Sequence, residues 1–172
     1  MTFQKPITVL LAALLAGPSG TPAPAQDHWA WPLSPKPEVV HKFDPPDKPW
    51  LSGHRGVDLG IAHDAGPGTT AQEVTAPADG VVTFAGVVVD RPVLTIDQGD
   101  GLRSSFEPVD SDLRPGDKVT KGQVIGSVPD GHVGSEHCAD ACLHWGVRRG
   151  EDYINPLTLV EDLRPSILLP LG

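Results

Sequence analysis

From Gly53 to about Leu159 the apolar residues come in short runs, many alternating with polar ones and separated by glycine, proline and Asp-Gly pairs. That spacing has a period of two and reads as β structure. Glu73 to Gly86 holds two apolar runs around Ala78-Asp79-Gly80, and Asp-Gly between β-prone runs predicts a hairpin. Val87 to Ile96 predicts two more strands. Gly99-Asp100-Gly101 predicts a turn with positive φ, and Leu102 to Val109 a return strand. Arg114 to Val128 alternates turn and strand again, and its Pro115–Gly126 stretch reads as a second hairpin. Leu143 to Val147 reads as a final core strand, with Leu143, Trp145 and Val147 on one face and Cys142 and His144 on the other. No segment sustains a helical period. Asn155 to Leu163, with Pro156 suited to a first helical position, predicts one short C-terminal turn of helix. The predicted fold class is all-β: a compact antiparallel sheet, as a partly open barrel or sandwich.

Two flanking stretches break this pattern. Residues 26–52 are rich in proline and tryptophan (Trp29, Trp31, Trp50) and predict an extended strap without helix. Its aromatic rings suit packing across the domain surface, with stacking on sugar rings as the alternative. Residues 1–25 begin with Lys5, continue through an apolar run from Ile7 to Ala16, and end in Ala23-Pro24-Ala25 before Gln26. That is the pattern of a secretory signal peptide, and the apolar run falls short of the roughly 20 residues a spanning helix needs. The organisation expected is a signal peptide at 1–25, the strap at 26–52, a β domain at 53–160 and a tail at 161–172.

Charge narrows the partners. The 172-residue chain has a formal net charge of −9, and no lysine/arginine cluster that would grip phosphates, so nucleic acid is not expected as a partner. No membrane span is expected once the signal is removed. The export signal also bears on Cys138 and Cys142, because an even number of cysteines in an oxidising setting predicts a disulfide. The alternative is a Cys142 thiolate bound to metal.

The candidate chemistry rests on His54, Asp58 and His144. Two imidazoles and a carboxylate can converge on a divalent ion, and zinc takes N and O donors of this kind. The order of Gly53-His-Arg-Gly-Val-Asp-Leu59, Val74-Thr-Ala-Pro-Ala-Asp-Gly-Val-Val82, Pro115-Gly-Asp-Lys-Val-Thr-Lys-Gly-Gln-Val-Ile-Gly126 and Cys142-Leu-His-Trp-Gly-Val147 resembles the lysostaphin/LytM-type zinc metallopeptidases, which cleave peptidoglycan. The match covers roughly residues 53–158. The Cys142–Gly150 ending and the strap look like an actinobacterial subgroup of exported proteins.

The resemblance implies Zn2+ held by His54, Asp58 and His144. It implies peptidoglycan peptides or a partner wall hydrolase as the target, and a secreted, extracytoplasmic location. It also implies two auxiliary histidines, and this chain has Cys142 and Pro108 in their places. Glu107 and His137 are the candidate substitutes, although strand alternation sets Glu107 on the opposite face from residue 108. His132 is a loop histidine, and His28, His41 and His63 read as surface residues. Arg148-Arg149 reads as a solvated turn, or as a carboxylate-binding pair. Three readings remain: a wall-directed zinc peptidase, a non-hydrolytic member that binds wall peptide or regulates another hydrolase, and a closed zinc site with Cys142 as fourth ligand.

Overall fold

The computed structural model describes residues 28–61, 72–129, 138 and 141–160. The signal peptide, His63, His132, His137 and the tail at 161–172 lie outside the described residues. The strands are β1 (Val39–His41), β2 (Gly56–Gly60), β3 (Glu73–Thr75), β4 (Gly80–Val88), β5 (Arg91–Gly99), β6 (Leu102–Glu107), β7 (Lys118–Val119), β8 (Val124–Ser127), β9 (Cys142–Arg149) and β10 (Asp152–Ile154). One helical turn, α1 (Leu157–Val160), follows, and the Asn155 side chain accepts a hydrogen bond from the Leu157 N–H at its start.

The main sheet runs β1-β2-β9-β6-β5-β4-β7, with β10 also paired to β9, and every described pairing is antiparallel. The sheet is not closed, as expected of a partly open barrel or sandwich. Strand β9 sits between β2 and β6 because its alternation gives it one wholly apolar face: Leu143, Trp145 and Val147 have no exposed surface. They join Val57, Leu59, Leu94, Ile96 and Phe106 in the buried core, which Val74 and Ile125 of the small β3–β8 sheet complete. The other face of β2 and β9 is left for Asp58 and His144.

Two expected hairpins do not form. Strands β3 and β4, on either side of Asp79-Gly80, belong to different sheets, and β3 pairs with β8. Pro77 has no N–H to offer a ladder. The neighbouring backbone donors are already taken, Thr75 by the Pro32 carbonyl and Ala76 by the Gln123 carbonyl. Likewise β7 and β8, read from the sequence as one hairpin, separate to β4 and β3. The apolar run at Val87-Val88 is the end of β4 rather than a strand of its own. The turn at Gly99-Asp100-Gly101 does form, with φ of 79°, 50° and 73°.

The strap is extended, as expected, and more firmly tied than a surface ribbon. Trp29 stacks on Trp145 at 6.5 Å between ring centroids, and Leu33 is buried. Residues 39–41 add the edge strand β1 to the main sheet.

Candidate metal centre

Local β structure sets each of the three candidate ligands. Asp58 and His144 are directly opposed residues of β2 and β9, so both side chains project to the same face. His54 stands just before β2. Its backbone N–H and carbonyl both pair with Asp44 of the strap, and its Nδ1–H donates to the Lys42 carbonyl at 2.7 Å. That bond decides the tautomer: the proton sits on Nδ1, and Nε2 turns a lone pair towards Asp58 and His144.

The donor atoms meet closely. His54 Nε2 lies 3.2 Å from Asp58 Oδ1 and 3.1 Å from His144 Nδ1, and His144 Nδ1 lies 2.8 Å from Asp58 Oδ1. Asp58 is 1% exposed, and its second oxygen, Oδ2, is buried without a hydrogen-bond partner. Burial raises the pKa of Asp58, but hydrogen bonds and positive charge from His144 and His54 outweigh it, so the carboxyl falls below its usual value. Asp58 is therefore an anion at neutral pH, with no proton to shed before accepting a cation.

Such a set is poorly satisfied by hydrogen bonds alone. Lone pairs of two nitrogens and an oxygen face one another within 3.2 Å, and a buried oxygen is left over. Tetrahedral zinc with ligands at 2.0–2.1 Å would hold its donors roughly 3.3 Å apart, close to the separations found. The residues fit the ion, and the donor set of two imidazoles and one carboxylate leaves a position open.

The family model described as peptidase family M23 matches residues 52–156. The chain belongs to peptidase family M23. M23 peptidases are metal-dependent, and this is a peptidase-like domain of that family. Uncharacterized proteins of Mycobacterium tuberculosis and Mycobacterium bovis are each 39% identical to it over 98% of this chain. The chain spans 65% of the length of these curated relatives. Among solved structures, Helicobacter pylori Csd3 is similar at 25% identity and TM-score 0.59, covering 82% of this chain and 37% of that one. A zinc-containing peptidase from Vibrio cholerae shares the fold at 17% identity and TM-score 0.58, covering 81% and 41%. So does the SpoIIQ–SpoIIIAH pore-forming complex, at 22% identity and TM-score 0.61, covering 80% and 93%.

The remaining M23 candidates sort by their contacts. Cys142 is bonded to Cys138 in a disulfide, so it has no thiolate for a metal, and the closed-site alternative is set aside. Glu107 is directly opposed to His144 across β6 and β9, which puts it on the metal face without any register shift, contrary to the sequence reading. Its carboxylate is engaged, since Arg91 Nη1 donates to Oε1 at 2.6 Å. Pro108, next to it, is buried and has no N–H. His137 falls outside the described residues. Arg148 is not simply a solvated turn residue: it donates to the Glu151 carboxylate at 2.8 Å and lies over the Tyr153 ring, as Arg55 also does.

The sequence reading missed two features of the site. One is His41, exposed as expected but with its ring 4.6 Å from that of His54. The other is the floor beside the ligands, which is bare backbone at Gly56 and Gly146, a cross-strand pair. A Cβ on Gly56 would lie 2.5 Å from the Trp145 carbonyl oxygen and 2.7 Å from His144 Nε2. Gly56→Ala is therefore expected to push the His144 ring off its position and cost about 1–3 kcal/mol of stability. Zinc affinity by titration calorimetry should fall with it, and an unchanged affinity would show that the ring is free to yield.

Proposed function

We propose that this chain is an exported zinc-binding M23 domain directed at the peptide bonds of peptidoglycan, with turnover slow relative to members that keep both auxiliary histidines. The observation that carries the reading is the convergence of His54 Nε2, Asp58 Oδ1 and His144 Nδ1 within 3.2 Å around a buried, unpartnered carboxylate oxygen. Zinc held there supplies Lewis-acid polarisation of a carbonyl and lowers the pKa of water to roughly 7. The chain's own residues supply the rest. Lys42 fixes the His54 tautomer through its carbonyl, and Asp58 brings the negative charge that neutralises part of the ion. The bare backbone at Gly56 and Gly146 lets the His144 ring lie close against the sheet beside the other ligands.

The expected slowness has a physical origin. A positioned acid/base group contributes roughly 10²–10⁴-fold to such reactions. Neither the disulfide sulfur of Cys142 nor the ring of Pro108 can move a proton, and the Glu107 carboxylate is held by Arg91. The same three residues favour a second reading, a non-hydrolytic M23 domain that binds wall peptide or a wall hydrolase in the same groove.

Incubating the zinc-loaded chain with purified peptidoglycan tests both. The first reading predicts a slow release of new amino groups that a chelator stops. Co-sedimentation with peptidoglycan without release supports the second. The absence of both binding and release would contradict a wall-directed role.

A further inference from the structure

Strand β1 lies outside the residues matched by the M23 family, yet it delivers a histidine to the metal centre. Its pairing with β2 begins with Val39 opposite Leu59. Continued without interruption, that register would set Val40 against Asp58 and His41 against Val57, on the core face. The register instead slips by one between Val39 and His41, and His41 stands opposite Asp58. A one-residue slip exchanges the faces of a strand, and bulges of this kind re-aim side chains beside functional sites. His41 is thereby turned to the face of Asp58 and His144. Its ring meets His54 at 4.6 Å and 57°, and His54 meets His144 at 4.9 Å, so three imidazoles stand in a row.

His41 is not one of the residues whose donor atoms converge, which are His54, Asp58 and His144. Among the described residues, Asp58, Glu107, Cys142 and Pro108 offer no hydrogen-bond donor for the negative charge that grows on a peptide carbonyl oxygen as water adds to it. Asp58 and Glu107 are acceptors. Cys142 carries no hydrogen on sulfur and Pro108 none on nitrogen. The imidazole of His41 has an N–H, an exposed position and direct contact with a ligand ring.

We propose that His41 is an oxyanion-binding residue of this centre, donating an imidazole N–H to the carbonyl oxygen of a peptide held at the metal site. This rests on the zinc reading given above. It assigns to the strap, and not to the M23 core, the donor that Cys142 and Pro108 do not supply.

The test uses the full zinc-loaded chain and a phosphinic dipeptide, whose tetrahedral P–O− imitates the charged oxygen, with zinc affinity measured in parallel. His41→Ala is expected to weaken phosphinate binding on the order of a hundredfold, the loss typical of one oxyanion donor, while zinc affinity stays that of the parent. His41→Gln, which keeps an N–H donor, is expected to recover part of the loss. His28→Ala, at another exposed strap histidine, is expected to change neither. Equal phosphinate affinity in the parent and His41→Ala overturns the proposal, as does a zinc-loaded parent that does not bind the phosphinate. Parallel loss of zinc and phosphinate in His41→Ala also overturns it, because His41 would then be a ligand. A parent that takes up no zinc overturns the zinc reading as well, whereas zinc uptake without a His41 effect overturns this inference alone.

Discussion

His144→Ala is expected to abolish zinc binding at micromolar metal while leaving the β domain folded. Removing a partner one shell beyond a metal typically costs 10–100-fold in affinity, so removing one of three direct ligands exceeds about a hundredfold. The effect is specific to the site because the His144 side chain, 30% exposed, lies on the face away from the core. Its neighbours Leu143 and Trp145 carry the packing of β9. Removal also takes a hydrogen-bond partner from the buried Asp58 carboxylate, so the apo variant should melt somewhat below the apo parent while still folding cooperatively. Titration calorimetry together with circular dichroism melting reads both quantities. Zinc affinity equal to that of the parent would mean that the three donors meet for hydrogen bonding alone.

Trp145→Ala is expected to have the opposite character, costing about 3–5 kcal/mol of stability as large core truncations do. Trp145 has no exposed surface, is directly opposed to Val57 and Phe106 on the neighbouring strands, and is stacked by Trp29 of the strap. Its indole N–H reaches the Ser104 hydroxyl at 3.4 Å, so truncation also leaves a buried hydroxyl short of a contact. The melting temperature should drop on the order of 10 °C, and zinc affinity should fall with the fold. A drop of only a degree or two, on the same scale, would mean that the strap and small sheet collapse into the cavity, or that Trp145 carries little of the core.

The two variants mark which parts of the protein can be read from its sequence. Strand β9 is legible because one strand holds both signals, alternation for the core and His144 for the site. His54 and Asp58 are legible for a similar reason: the three residues between them are a fixed local spacing. The pairing partners of β3, β7 and β8 are not local. Asp79-Gly80 has the composition of a hairpin turn, but the bonding of Thr75 to Pro32 and of β3 to β8 is decided by chain segments some fifty residues away or nearly so. The place of His41 depends on a one-residue slip in a three-residue strand, and nothing in the run Val39-Val40-His41 announces it. The face of Glu107 is not legible because strand alternation gives relative orientation only, and the register with β9 fixes the absolute one. The Cys138–Cys142 disulfide is legible from the even cysteine number together with the expectation of export, and it removes the competing ligand.

X-ray absorption at the zinc edge of the zinc-loaded chain reads the ligands themselves. The expected spectrum shows one zinc per chain with a first shell of nitrogen and oxygen only, at about 2.0–2.1 Å, two of the scatterers being imidazoles. No bound zinc, or a shell containing sulfur at about 2.3 Å, would contradict it.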